Sequence, residues 1–352
     1  MASKLKIDPP LLNSACPWST TIEDIKALYD CPYTGAVTIR TSLLEGFTHD
    51  DAVHQYVFFT PGTTIPSGTP KGDASAATAA ASASPPASTL NTLGYSPFTL
   101  SEYLGYINEI VGQRHLGTDT PTKKPFILSV TGTPDEIAMA YALIANAAEM
   151  DEDLRLAMEV NLSCPNIKDA PPPAYDAAQL AEYLEAIADS KATYRGRMAT
   201  PESVPKVGVK LPPYTHTAQF EMVVAAMRSP SAQSSEPGEG CVLDFVTCTN
   251  TLGSSLLLDD ALDPVLNSES ATGIGGLAGA ALHPLALGNV ATFRRLLDQS
   301  PETREVAIIG VGGVEDKQGV ERMRKVGAHA VACASALGRY GVAVFEKMTK
   351  GD

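Results

Sequence analysis

Eight short β-rich runs punctuate the chain, and most are separated by stretches with helical spacing. The runs are 11–15, 36–40, 126–131, 157–162, 206–211, 243–249, 306–311 and 328–333. Helical spacing is clearest over 22–29, 133–149, 177–192 and 319–326. Strands that alternate with helices form a parallel sheet, because each crossover needs a helix to return the chain. Eight such units are the number that closes a (β/α)8 barrel, or TIM barrel. An open doubly wound sheet is the competing architecture. The strand ends favour the barrel. Polar, Gly or Cys residues follow nearly every run: Ser14-Ala15-Cys16, Arg40-Thr41, Asn161 to Asn166, Lys210, Thr249-Asn250, Gly312-Gly313 and Ser335. A barrel gathers all those ends on one face, whereas an open sheet spreads them along an edge.

One segment stands outside the pattern. Residues 63–89 are almost entirely Ala, Ser, Thr, Pro and Gly, and are expected to form a disordered insertion in a single domain spanning 1–352. Composition then removes several function classes. The formal net charge of -14 argues against nucleic acid or an anionic membrane as a partner, since both need a basic patch. No run of about 18 apolar residues is present, so no spanning helix is expected. Residues 1–4 lead into no apolar run, so no signal peptide is expected either. The six cysteines are scattered and form no C-x-x-C pair, which fits reduced thiols in a cytoplasmic protein with no metal site.

Four features could carry chemistry. Gly312-Gly313 follows the apolar run 306–311, and adjacent glycines let backbone N–H groups approach an anion. In barrels the loops after strands seven and eight often hold a phosphate, though a tight turn would use the same glycines. Gly275 to Gly279 is a second glycine-rich stretch, but its spacing does not match a dinucleotide-binding loop. Cys164 lies just past a strand in Asn161-Leu162-Ser163-Cys164-Pro165-Asn166. It reads either as a buried structural thiol or as a general base held between two carboxamides. Lys210 ends another strand, where it could hold an anion or an electron-rich ring, or form a structural ion pair. Asn91 and Asn250 add two more carboxamides. Four asparagines on one site would suit a small planar ligand with several C=O and N–H groups.

Together these stretches resemble the dihydroorotate dehydrogenases, and within them the soluble, cysteine-based, fumarate-linked branch called class 1A. The resemblance rests on NLSCPN at 161–166, GVKLPPY at 208–214, TCTNTLG at 247–253 and GGLAGAALHPLALGNV at 275–290. It continues through IIGVGGVED at 308–316 and GAHAVACASALGRYG at 327–341. The resemblance implies an FMN flavoprotein oxidising dihydroorotate to orotate in pyrimidine biosynthesis, working in the cytoplasm as a homodimer with fumarate as oxidant. It implies that Cys164 is the base for the C5 proton and that Lys210 and Arg40 flank the flavin. Arg40 stands where the family has lysine. The substrate positions carried over are Asn91, Leu93, Gly94, Tyr95, Asn161, Asn166, Asn250 and Thr251. The cofactor positions are Ala15, Cys16, Arg40, Thr41, Asn161, Lys210 and Thr249, with Gly279, Gly312, Gly313, Ala334 and Ser335 around the phosphate. A diverged FMN-dependent ene-reductase or dehydrogenase acting on another small unsaturated acid or pyrimidine is the alternative, followed by a non-catalytic paralogue.

Overall fold

A computed structural model describes residues 5–62, 70–72, 88–115, 124–151, 154–163, 172–198, 200, 203–234 and 240–351. In chain order the principal elements are β1 (Leu11–Asn13), α1 (Ile22–Asp30), β2 (Val37–Thr38), β3 (Tyr56–Phe59), β4 (Ser88–Asn91), α2 (Leu100–His115) and β5 (Phe126–Val130). There follow α3 (Pro134–Met150), β6 (Leu156–Asn161), α4 (Ala177–Arg195), β7 (Lys206–Leu211), α5 (Thr217–Arg228) and β8 (Phe245–Cys248). The rest are β9 (Leu252–Ser255), β10 (Gly275–Gly279), α6 (His283–Leu297), β11 (Ala307–Val311), α7 (Lys317–Lys325), β12 (Ala330–Cys333), α8 (Ser335–Tyr340) and α9 (Ala343–Lys350).

Eight strands form one parallel sheet in the order β1-β12-β11-β8-β7-β6-β5-β2, and it is a (β/α)8 barrel. All eight expected runs are in it. The seam between β1 and β2 is closed by a side chain. The carboxamide of Asn13 accepts from the Thr38 N–H at 3.0 Å and donates to the Thr38 carbonyl, so it stands in for a ladder rung. Helix starts follow their sequence signals. Thr133 and Glu136 form a reciprocal capping box at α3, Thr21 and Asp24 do so at α1, and Asp176 caps α4.

The strands are buried on both faces, as parallel strands covered by helices must be. On β6, Met158 and Val160 join the apolar layer beneath the helices. Ala157, Glu159 and Asn161 alternate with them and point the other way, into the barrel. The barrel floor is apolar, with Leu12, Ile127, Ala157, Phe245 and Ile309 in contact. Gly208 is required there, because a Cβ would lie 2.4 Å from the Phe245 ring.

A second sheet was not expected. Strands β3, β4, β10 and β9 form an antiparallel sheet in the order β3-β4-β10-β9. The glycine-rich stretch 275–279 is the strand β10. A Cβ on Gly275 would sit 2.2 Å from the Asn91 carbonyl, and one on Gly276 would sit 2.3 Å from the Thr251 hydroxyl. The glycines therefore let this strand press against the end of β4 and the turn after β8. The low-complexity segment joins β3 to β4. Its expected end at residue 89 needs correction, because Ser88 and Thr89 are buried and paired with Phe59 and Phe58 in β4. Lys71 bridges to Tyr56, and residues 63–69 and 73–87 lie outside the described residues. No helix among the described residues is long and apolar enough to cross a membrane.

Candidate active site

The cleft lies between the C-terminal ends of the barrel strands and the small sheet. It encloses about 740 Å3 of space, including its mouth to solvent. The segment after β1 contributes Ala15 and Cys16, and the segment after β2 contributes Arg40 and Thr41. Strand ends bring in Asn161 from β6 and Lys210 from β7, with Asn250 and Thr251 from the turn after β8. Asn91, Leu93, Gly94 and Tyr95 enter from the end of β4, and Ala334 and Ser335 from the end of β12. Fourteen of the expected positions thus share one cavity, which is the convergence a barrel imposes.

One side of the cleft is built from side chains. Asn161 Oδ1 accepts from Asn250 Nδ2, from the Ser163 N–H and from the Ser163 hydroxyl, each at 3.2 Å. Asn161 Nδ2 donates to the Thr41 hydroxyl at 3.2 Å. Thr41 and Ser129 hydroxyls lie 3.0 Å apart, and Ser129 donates to Glu159 at 3.0 Å. Thr247 donates to the other Glu159 oxygen at 2.6 Å. Because the carboxylate accepts from both hydroxyls, Ser129 is left to accept from Thr41, and Thr41 to accept from Asn161. The buried Glu159 therefore fixes which way the Asn161 amide faces.

Two cations are buried at the same level. Lys210 is 4% exposed and donates to the Ser14 hydroxyl at 3.1 Å and to the Ala15 carbonyl at 3.4 Å. Arg40, also 4% exposed, donates to the Gly94 carbonyl at 3.3 Å, tying the β2 end to the loop after β4. Gly94 is itself packed against Phe47, where a Cβ would fall 2.2 Å from the ring. Phe47 makes edge contacts with His54 and Tyr95, so the segment after Arg40 backs this wall of the cleft.

The other end is built from backbone. A small pocket is lined by Gly279, Gly313, Glu315, Ala334 and Ser335. Gly313 has φ +67° and approaches so closely that a Cβ would lie 2.6 Å from the Gly279 carbonyl. Gly312 does not line the pocket. It packs on Ala286, and its carbonyl is 2.7 Å from His283 Nδ1. Arg322 donates to His283 Nε2, which leaves Nδ1–H to donate to Gly312. Thr89 and Ser335 hydroxyls meet at 2.8 Å beside this end.

Cys164 and Asn166 lie outside the described residues. Cys16 is in the cleft, but burial pushes its thiol up to about 11, with Ser19 and Lys210 pulling weakly the other way. Burial also pushes Cys241 to about 12, and raises Cys248 and Cys333. These thiols are neutral near pH 7 and poor bases. Thr249 is 2% exposed and is not among the residues that line the cleft. Sequence reasoning missed Trp18, Tyr56, Thr89 and Ala278, which also line the cleft, and Glu159 below it. A lone charge in the apolar run Leu156–Asn161, in phase with Asn161, was the available signal for Glu159.

The residues fit a flavin. The indole Nε1 of Trp18, a cleft residue, is buried with no partner among the described residues, so it can take a ligand hydrogen bond. Gly279 and Gly313, which bring no side chain to the small pocket, leave room for a phosphate against backbone N–H groups. The family model described as dihydroorotate dehydrogenase matches residues 79–351. The chain belongs to the dihydroorotate dehydrogenase family. It is an oxidoreductase of that family. Among curated relatives, a putative dihydroorotate dehydrogenase A (fumarate) of Streptococcus pyogenes is 30% identical over 262 residues, covering 74% of this chain and 70% of the relative. The dihydroorotate dehydrogenases (fumarate) of Trypanosoma brucei and Trypanosoma cruzi are each 28% identical, over 75% of this chain and 72% and 71% of theirs.

Proposed function

We propose that this protein oxidises (S)-dihydroorotate to orotate with bound FMN, and that fumarate is the oxidant that completes the cycle by becoming succinate. The observation that carries the reading is the cleft itself, which joins a carboxamide-rich end with two buried cations to a glycine-lined end. Dihydroorotate is a small ring with imide C=O and N–H groups and one carboxylate. Asn91, Asn161 and Asn250 offer donors and acceptors for the ring. Leu93, Gly94, Tyr95 and Thr251 form the wall that surrounds them. Arg40 and Lys210 supply positive charge against the carboxylate and the electron-rich edge of the flavin.

FMN, when bound, supplies the two-electron carrier that takes the C6 hydride and passes it on to fumarate. Ala15, Cys16, Thr41, Thr249 and Lys210 would hold its ring system. Gly279, Gly313, Ala334 and Ser335 would hold its phosphate, with Gly312 shaping the turn next to Gly313. Cys164 is the base for the C5 proton in this reading. It directly follows Ser163, whose hydroxyl is tied to Asn250 at 2.9 Å and to the Lys210 carbonyl at 3.0 Å. Asn166 completes the carboxamide set. Holding the substrate rigidly between these groups turns proton and hydride loss into an intramolecular event. The reading further takes the protein as a cytoplasmic homodimer in pyrimidine biosynthesis.

The test is chemical. The purified protein is expected to release FMN on denaturation and to form orotate from dihydroorotate only when fumarate is supplied. Release of FMN without orotate formation would move the assignment to an ene-reductase for another unsaturated acid or pyrimidine. A protein that neither carries nor takes up flavin would sink the reading altogether.

A further inference from the structure

The glycine-lined pocket contains one residue at odds with an anion site: the acidic Glu315 is part of its wall. A carboxylate beside a phosphate dianion is repulsive, and more so where water is partly excluded. Directly behind it stands Arg339. Its Nη1 donates to Glu315 Oε2 at 2.7 Å, and its side chain is 4% exposed against 31% for Glu315. Its Nη2 donates to the Tyr340 hydroxyl at 2.6 Å, and the guanidinium lies 4.5 Å from the Tyr340 ring centroid. Three contacts thus fix the arginine against that carboxylate. Arg339 does not itself line the pocket.

We propose that Arg339 is a positioning residue for the cofactor phosphate, acting through Glu315. It cancels the one negative charge in the pocket wall and holds that carboxylate in a single place. The glycine backbone then meets the phosphate without opposition. This inference rests on the reading that the pocket takes the phosphate of FMN. It adds that the Glu315–Arg339 pair makes affinity depend on the charge of the flavin's terminal group. The pair should therefore matter for FMN and not for riboflavin, which has the same ring and no phosphate.

The chain supplies its own reporter, because Trp18 is its single tryptophan and lines the cleft. Quenching of Trp18 fluorescence on titrating the flavin-free full-length protein gives a Kd for FMN and for riboflavin without any turnover. Arg339→Gln is expected to weaken FMN by about tenfold and riboflavin by less than about twofold, with the FMN loss shrinking at high salt. The double variant Glu315→Gln with Arg339→Gln is expected to recover FMN binding to within about threefold of wild type. Equal weakening of FMN and riboflavin, or no recovery in the double variant, would overturn the proposal. Should Arg339→Gln not fold, Glu315→Gln alone decides it. That change leaves an uncancelled arginine near the phosphate, so FMN should bind about threefold or more tighter, with riboflavin unchanged. Unchanged or weaker FMN binding by Glu315→Gln contradicts the proposal. Wild-type protein that binds neither flavin overturns this inference and the FMN reading together. Failure of the inference alone leaves wild-type FMN binding intact.

Discussion

The two ends of the cleft are built from different materials. At the substrate end, polarity is set by side chains: Asn161, Asn250, Thr41, Ser129 and Ser163 form one hydrogen-bonded web anchored on Glu159. At the phosphate end it is set by backbone, with Gly279 and Gly313 pressed within contact of each other and His283 holding the Gly312 carbonyl. Side chains can discriminate one small ring from another, because each offers a specific donor or acceptor. Backbone N–H groups recognise any phosphate and depend on chain geometry rather than residue chemistry. The difference predicts that substitutions at one end alter substrate recognition while those at the other alter cofactor retention.

Lys210 belongs to neither end alone, and removing it should have the largest effect. Lys210→Ala deletes a buried cation in the middle of the cleft, so kcat/KM for dihydroorotate should fall by about 100-fold or more. Steady-state kinetics with fumarate measures this. At the substrate end, Asn250→Ala removes the donor to both Asn161 and Ser163. The apparent KM should rise by roughly tenfold, with FMN content unchanged, because one buried acceptor pair loses its partner at a cost of about 1–3 kcal/mol. At the phosphate end, Gly313→Ala should do the reverse. Its Cβ would collide with the Gly279 carbonyl at φ +67°, so bound FMN should drop while the KM of the flavin-loaded fraction stays near wild type. Lost FMN in Asn250→Ala, or a raised KM in loaded Gly313→Ala, would break the division between the ends.

Two smaller effects sharpen it. Glu159→Leu takes from the Ser129 and Thr247 hydroxyls the acceptor they share inside the barrel, and denaturant unfolding should show a loss of about 1–3 kcal/mol. Glu159→Gln keeps one acceptor oxygen and should lose less. Thr89→Val removes only the hydroxyl bond to Ser335, worth about 0.5–1.5 kcal/mol. Its expected signature is a slightly faster release of FMN, read from flavin fluorescence after dilution.

How far these ends were legible in the sequence follows from the same contrast. All eight barrel strands announced themselves, because parallel strands covered on both faces are continuous apolar runs. The polar residues just past them, including Arg40, Asn161, Lys210 and Asn250, were readable as site residues by position. The small sheet was not readable. Strand β4 begins at Ser88 inside a low-complexity segment, and β10 is a glycine-rich strand whose lack of side chains reflects what presses on it. Contacts of that kind are tertiary and leave no local periodicity. Tyr56 was silent for the same reason, since it reaches the cleft through β3 of that sheet, and Trp18, in the segment after β1, packs edge-on against it.

The central claim is that this cleft delivers a dihydroorotate hydride to a bound flavin once Cys164 takes the proton. Anaerobic mixing of the FMN-loaded protein with dihydroorotate, followed at the flavin absorbance, measures that half-reaction alone. Bleaching in the wild type, slowed by about 100-fold or more in Cys164→Ala with FMN still bound, is the predicted result. Flavin that stays oxidised in the wild type, or bleaches equally fast in Cys164→Ala, contradicts it.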